Sequence, residues 1–62
     1  MSFMLFEVWT EDEIGHQELI DTTASESEAM KIAKECLEGG AIVAIVYQET
    51  EDGDSKEIAR LT

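Results

Sequence analysis

Ala29-Met30-Lys31-Ile32-Ala33-Lys34-Glu35-Cys36-Leu37-Glu38-Gly39-Gly40-Ala41-Ile42-Val43-Ala44-Ile45-Val46-Tyr47 changes its hydrophobic period at a glycine pair, and that change decides the fold. Before the glycines, Ala29, Ile32, Ala33, Cys36 and Leu37 recur at the spacing of one apolar helix stripe. After them, Ala41 to Tyr47 is a short run rich in β-branched residues, and it reads as a strand. Gly39-Gly40 supplies the stop between the two. Upstream, Ser25 followed three residues later by Glu28 has the spacing of a capping box, and Thr23 with Glu26 repeats it two residues earlier. Glu26 and Glu28 also place negative charge near the positive end of the helix dipole.

Working outward, Phe3 to Thr10 is aromatic and branched and reads as a strand that ends at Glu11-Asp12-Glu13 before Ile14-Gly15. His16 to Thr22 alternates weakly around Leu19 and Ile20 and completes a first hairpin. Asp52-Gly53 is a hairpin turn signal, followed by a polar closing strand from Ser55 to Leu61. The expected fold is α+β in the order β-β-α-β-β: a four-stranded, mainly antiparallel sheet with one helix on one face, in a single domain spanning residues 1–62. The first and third strands are the most apolar, which places them centrally with polar edges outside, in the order 2-1-3-4. The alternative order 2-1-4-3 has first and last strands central and parallel, a layout similar to that of immunoglobulin-binding protein G domains.

One helix covers one face of such a sheet, yet both faces of the central strands carry apolar residues. Met4, Phe6 and Val8 alternate with Phe3, Leu5 and Trp9, and Ile42, Ala44 and Val46 alternate with Val43, Ile45 and Tyr47. An antiparallel sheet with one wet face is expected to alternate apolar with polar. The spacing leaves open which set meets the helix. The candidate apolar interface is Phe3, Leu5, Trp9, Val43, Ile45 and Tyr47, for a second copy of the chain or for another protein, and a homodimer would also help a small core. The competing expectation is that long charged side chains of the outer strands fold over this surface.

The chain has 15 acidic and 4 basic residues in 62, a formal charge of −11, with 44% hydrophobic residues grouped in blocks rather than scattered as in an acidic disordered segment. Cys36 is the lone cysteine, so an intramolecular disulfide is impossible and a reducing, cytoplasmic setting is expected. Met1 to Phe6 lacks the basic start of a signal peptide and meets Glu7 early, and no apolar run approaches the ~20 residues of a membrane span.

Chemistry is hard to build from these residues, and no enzyme activity is expected. His16 has no nucleophile set beside it by a recognisable motif, and Cys36 lies on the apolar helix stripe where a thiol acts as a small core residue. Aligning Gly53 with the glycine of a calcium-binding EF-hand loop puts Gln48 first and Ala59 last, where such sites need acids. Zinc ligation has one cysteine and one histidine to draw on, and Gly39-Gly40 follows a helix rather than preceding one, the wrong end for phosphates. No metal and no cofactor are expected. Lys31, Lys34, Lys56 and Arg60 are too few among the acids to hold a nucleic acid directly.

The acids cluster. Glu11, Asp12 and Glu13 crowd one turn, Glu49, Glu51, Asp52 and Asp54 crowd the other, and Glu35 and Glu38 sit at the helix end where the dipole disfavours them. These two turns are the candidate acidic partner-binding residues, and the expected partner is a protein with a basic surface. In size and charge the chain resembles small acidic phage-encoded inhibitors, including nucleic-acid mimics and anti-CRISPR proteins. That resemblance implies an inhibitor presenting carboxylates where phosphates would lie. The alternative is a soluble housekeeping or structural homodimer whose acidity serves solubility or salt adaptation.

Overall fold

The computed structural model describes residues 4–62, and the elements follow the expected order: β1 (Leu5–Glu11), β2 (Gln17–Thr23), α1 (Glu26–Glu38), β3 (Val43–Glu49) and β4 (Ser55–Leu61). The sheet order is β2-β1-β3-β4 with every neighbouring pair antiparallel, so the parallel alternative does not occur. β1 and β3 each begin two residues later than expected, and Phe3 lies outside the described residues. β3 starts late because the helix end uses Ala41. In a Schellman motif, the Gly40 N–H donates to the Leu37 carbonyl at 3.1 Å and the Ala41 N–H to the Cys36 carbonyl at 3.0 Å.

At its other end α1 is capped by Ser25, whose extended backbone lets its hydroxyl accept the Glu28 N–H at 3.3 Å. The two hairpins close identically. Gly15 N–H donates to the Asp12 carbonyl and Asp12 N–H to the His16 carbonyl, both at 3.0 Å; Gly53 and Thr50 repeat the pattern with Thr50 and Asp54. The fourth residue of each turn needs a left-handed backbone, with φ of 84° at Gly15 and 86° at Gly53, which glycine adopts without steric cost.

Residue parity along β1 and β3 now acquires a direction. Phe6, Val8, Ala44 and Val46 face α1 and form the core with Ala29 and Ala33, while Met30, Ile32, Cys36 and Leu37 pack around them. The cross-strand row Asp21, Val8, Val46, Ala59 runs through its middle. Ala29 and Ala33 are fully buried, and their small side chains let the helix approach the sheet. Each edge strand carries one irregularity, at Ile20 in β2 and Ile58 in β4, which shifts the parity of the residues beyond it.

Two substitutions test this packing. Ala33→Leu is expected to lower the urea midpoint, costing about 1–3 kcal/mol by overpacking although it adds apolar surface. Ser25→Ala is expected to cost about 1 kcal/mol by removing the cap, with the remaining helix signal in circular dichroism unchanged under native conditions.

Candidate interaction surface

The antiparallel register of β1 with β3, from Leu5↔Glu49 to Glu11↔Val43, sorts the acids by end. The turn bearing Asp12 and Glu13 lies at the Glu11 end, and α1 runs from the opposite end towards it, so Glu35 and Glu38 gather there too. The turn bearing Glu51, Asp52 and Asp54 lies at the Glu49 end with the helix start and its Glu26 and Glu28. Seven paired residues at roughly 3.4 Å per step separate the turns by about 20 Å. The candidate acidic residues therefore form two patches at opposite ends of a body 37 Å long, not one site.

The face without a helix holds Leu5, Trp9, Val43, Ile45 and Tyr47, all five described members of the candidate apolar interface. It is less bare than the sequence implied. Ile45 has no exposed surface: its cross-strand neighbours are Trp9 and Arg60, and Leu19 continues that row across the sheet. Trp9 and Tyr47 meet edge to face with ring centroids 6.4 Å apart and planes at 89°. The helix-free set is also less apolar than Phe3, Leu5 and Trp9 suggested, since it includes Glu7 and Glu11 of β1, Glu49 of β3 and Glu57 of β4. Apolar and acidic residues thus alternate along β1 on this face, while β3 presents Val43, Ile45 and Tyr47 before Glu49.

Hydrogen bonds hold several of these carboxylates in place. The Trp9 indole Nε1 donates to Glu7 Oε1 at 3.2 Å, and Gln17 Nε2 to Glu11 Oε1 at 3.0 Å. Arg60 is the lone cation of the face among the described residues, and it is engaged: its Nη2 donates to Glu57 at 2.9 Å, and its Nη1 lies 3.8 Å from Glu11. The hydrogen bond and charge of Glu57, with Glu11 adding, raise the Arg60 guanidinium further above its ordinary value. Such exposed pairs contribute little to stability, but they hold the guanidinium on this face, in the row of Ile45. The other three cations point elsewhere. Lys31 and Lys34 are exposed on α1, and Lys56 sits in the helix-side row with Gln48.

Elsewhere the side chains serve structure. His16 is held through its backbone, whose N–H donates to Asp12 Oδ1 at 2.8 Å. Burial, with Glu35 adding, pushes the Cys36 thiol above its ordinary value, so it stays protonated at neutral pH and packs as a small apolar group. Among the described residues no three His, Cys, Asp or Glu side chains gather into a metal set, and no helix is long and apolar enough to cross a membrane. Two surface residues stand differently from expectation, since Ile42 was expected in the third strand with Ala44 and Val46 and instead precedes it. Ile14, at a turn tip, is 88% exposed, and Ile42 in the connection before β3 is 49% exposed; an isoleucine inside a turn was the available signal. Compared with known proteins, the chain matches no family model, no curated protein and no solved structure.

The two halves of the sheet face are expected to respond differently to charge. Ile45→Glu buries a carboxylate and should unfold the domain, with a cost of several kcal/mol read by urea titration. Glu7→Gln keeps the indole's acceptor and should leave the midpoint unchanged. Cys36 is expected to react with Ellman's reagent at pH 8 far more slowly than free cysteine, and an equal rate would mean that the thiol is not packed as described.

Proposed function

We propose that this chain is a non-enzymatic, cytoplasmic protein-interaction module that engages a basic, nucleic-acid-binding protein and inhibits it in the manner of a phage-type nucleic-acid mimic. The observation that carries the reading is the helix-free face. There a partly buried Trp9–Tyr47 pair is bordered by Glu7, Glu11, Glu49 and Glu57, with Arg60 already engaged. Aromatic faces beside carboxylates suit arginine and lysine side chains, which stack on the ring and pair at the head.

Charge density supports the same reading. The net charge of −11 lies on a body 37 × 21 × 15 Å in extent. The acidic turns stand at both ends, with Glu7, Glu11, Glu49 and Glu57 on the face between them, so a groove built for nucleic acid would meet carboxylates at each end and along that face. Electrostatic steering would speed the encounter.

Immobilised protein is expected to capture nucleic-acid-binding proteins from lysate at low salt, to release them near about 0.5 M salt, where the Debye length falls to a few ångströms, and to release them to competing duplex DNA. Capture indifferent to both salt and DNA would refute the reading. A homodimer through the same face is the second reading, favoured by Leu5, Trp9, Val43 and Tyr47 lying only half-buried there. Its salt dependence has the opposite sign. Two copies of charge −11 repel, so self-association in sedimentation equilibrium would strengthen as salt rises, while binding to a basic partner weakens.

A further inference from the structure

Ile14 is the most exposed large apolar residue of the described chain, and the turn that carries it does not need it. Closure of Asp12-Glu13-Ile14-Gly15 comes from the Gly15 N–H on the Asp12 carbonyl and from Asp12 Oδ1, which accepts the N–H groups of Ile14 at 3.1 Å and His16 at 2.8 Å. All of these contacts use backbone or Asp12 atoms. A turn tip favours Asn, Asp, Gly or Ser, and a β-branched side chain standing in water there brings the local structure nothing.

Ile42 stands at the same end. The pairing of Glu11 with Val43 sets the connection from α1 to β3 beside the first hairpin, and Ile14 and Ile42 line one groove of about 360 Å3 with Asp12 and Glu13. Through Asp12 and Ile42 this groove continues into a second of about 230 Å3 that has Glu11 and Glu18 on its wall. Neither groove is lined by a lysine or arginine.

We propose that this end groove is a docking site for a cationic protein segment in which an apolar side chain is flanked by lysine or arginine, the apolar group covering Ile14 and Ile42 and the cations meeting Asp12, Glu13 and Glu11. The proposal rests on the reading of the chain as a module for a basic partner and names a contact point at the end of the body, which meets the sheet face only at Glu11. Charge selects the occupant. A second copy would bring the same acids against these, and an anionic lipid surface would be repelled in the same way. A cationic segment gains from both the apolar burial and the charge, which is the pairing that makes a small patch specific.

The test uses the full chain, isotope-labelled, titrated at low salt with a peptide alternating lysine and leucine and with a counterpart of equal length and charge that has serine for leucine. The leucine peptide is expected to bind about tenfold more tightly, the effect of keeping roughly half an isoleucine side chain dry, and to shift the Ile14 and Ile42 methyl resonances. Ile14→Ser should abolish that advantage, leave affinity for the serine peptide unchanged and leave the melting temperature intact, since the residue packs against so little. If both peptides bind equally and Ile14→Ser changes nothing, or if the leucine peptide shifts Trp9 and Tyr47 instead, the groove is not the docking site and the broader reading survives. If neither peptide binds at low salt, the reading of a module for basic partners falls and the groove falls with it.

Discussion

The pairing of β1 with β3 is the contact on which the rest of this small structure depends. It joins the two most apolar strands in one unbroken antiparallel register from Leu5↔Glu49 to Glu11↔Val43. A slip of β1 by one residue against β3 would exchange Phe6 and Val8 for Glu7 and Trp9 beneath the helix, and Glu7 would meet the core. The buried alanines of α1 then add a shape constraint, because only a helix that comes close can seal the row around Val8 and Val46. Every other element is attached to this pair: β2 by the hairpin at the Glu11 end, β4 by the hairpin at the Glu49 end, and α1 by the crossing between them.

That same register distributes the charge. Antiparallel order sends the two acidic turns to opposite ends, and the helix direction adds Glu26 and Glu28 to one and Glu35 and Glu38 to the other. The helix side keeps three of the four cations, leaving the bare sheet face with Arg60 alone. The result is a body with acid at both tips and along one broad face, and an aromatic pair at the centre of that face. A charge of −11 spread evenly would give a uniform field; spread this way it concentrates the negative potential at two ends and on one face.

Some of this was legible in the chain, and the misses have physical causes. The period change at Gly39-Gly40, the Ser25 cap and the Asp52-Gly53 turn each rest on interactions among residues close in sequence, so the element order and the helix ends followed from them. The alternation along β1 was also on view, yet naming Phe3, Leu5 and Trp9 as candidate interface residues passed over Glu7, which shares their parity. The irregularities at Ile20 and Ile58 were not readable, because a bulge is a relation between a strand and its neighbour. They decide that Thr22, Glu57 and Arg60 stand on the helix-free face. Ile14 was visible as an isoleucine in a turn, but only the approach of Ile42 makes it part of a groove.

By itself, then, the sequence determined the fold class, the position of each turn and cap, and the size and sign of the charge, since these depend on local period, local hydrogen bonding and composition. Tertiary structure decided which face of β1 and β3 met the helix, that Ile45 is covered without a second subunit, and that the acids form two ends and one face rather than a single patch. Those outcomes depend on strand register and helix direction, which bring together residues far apart in the chain and which no local spacing encodes.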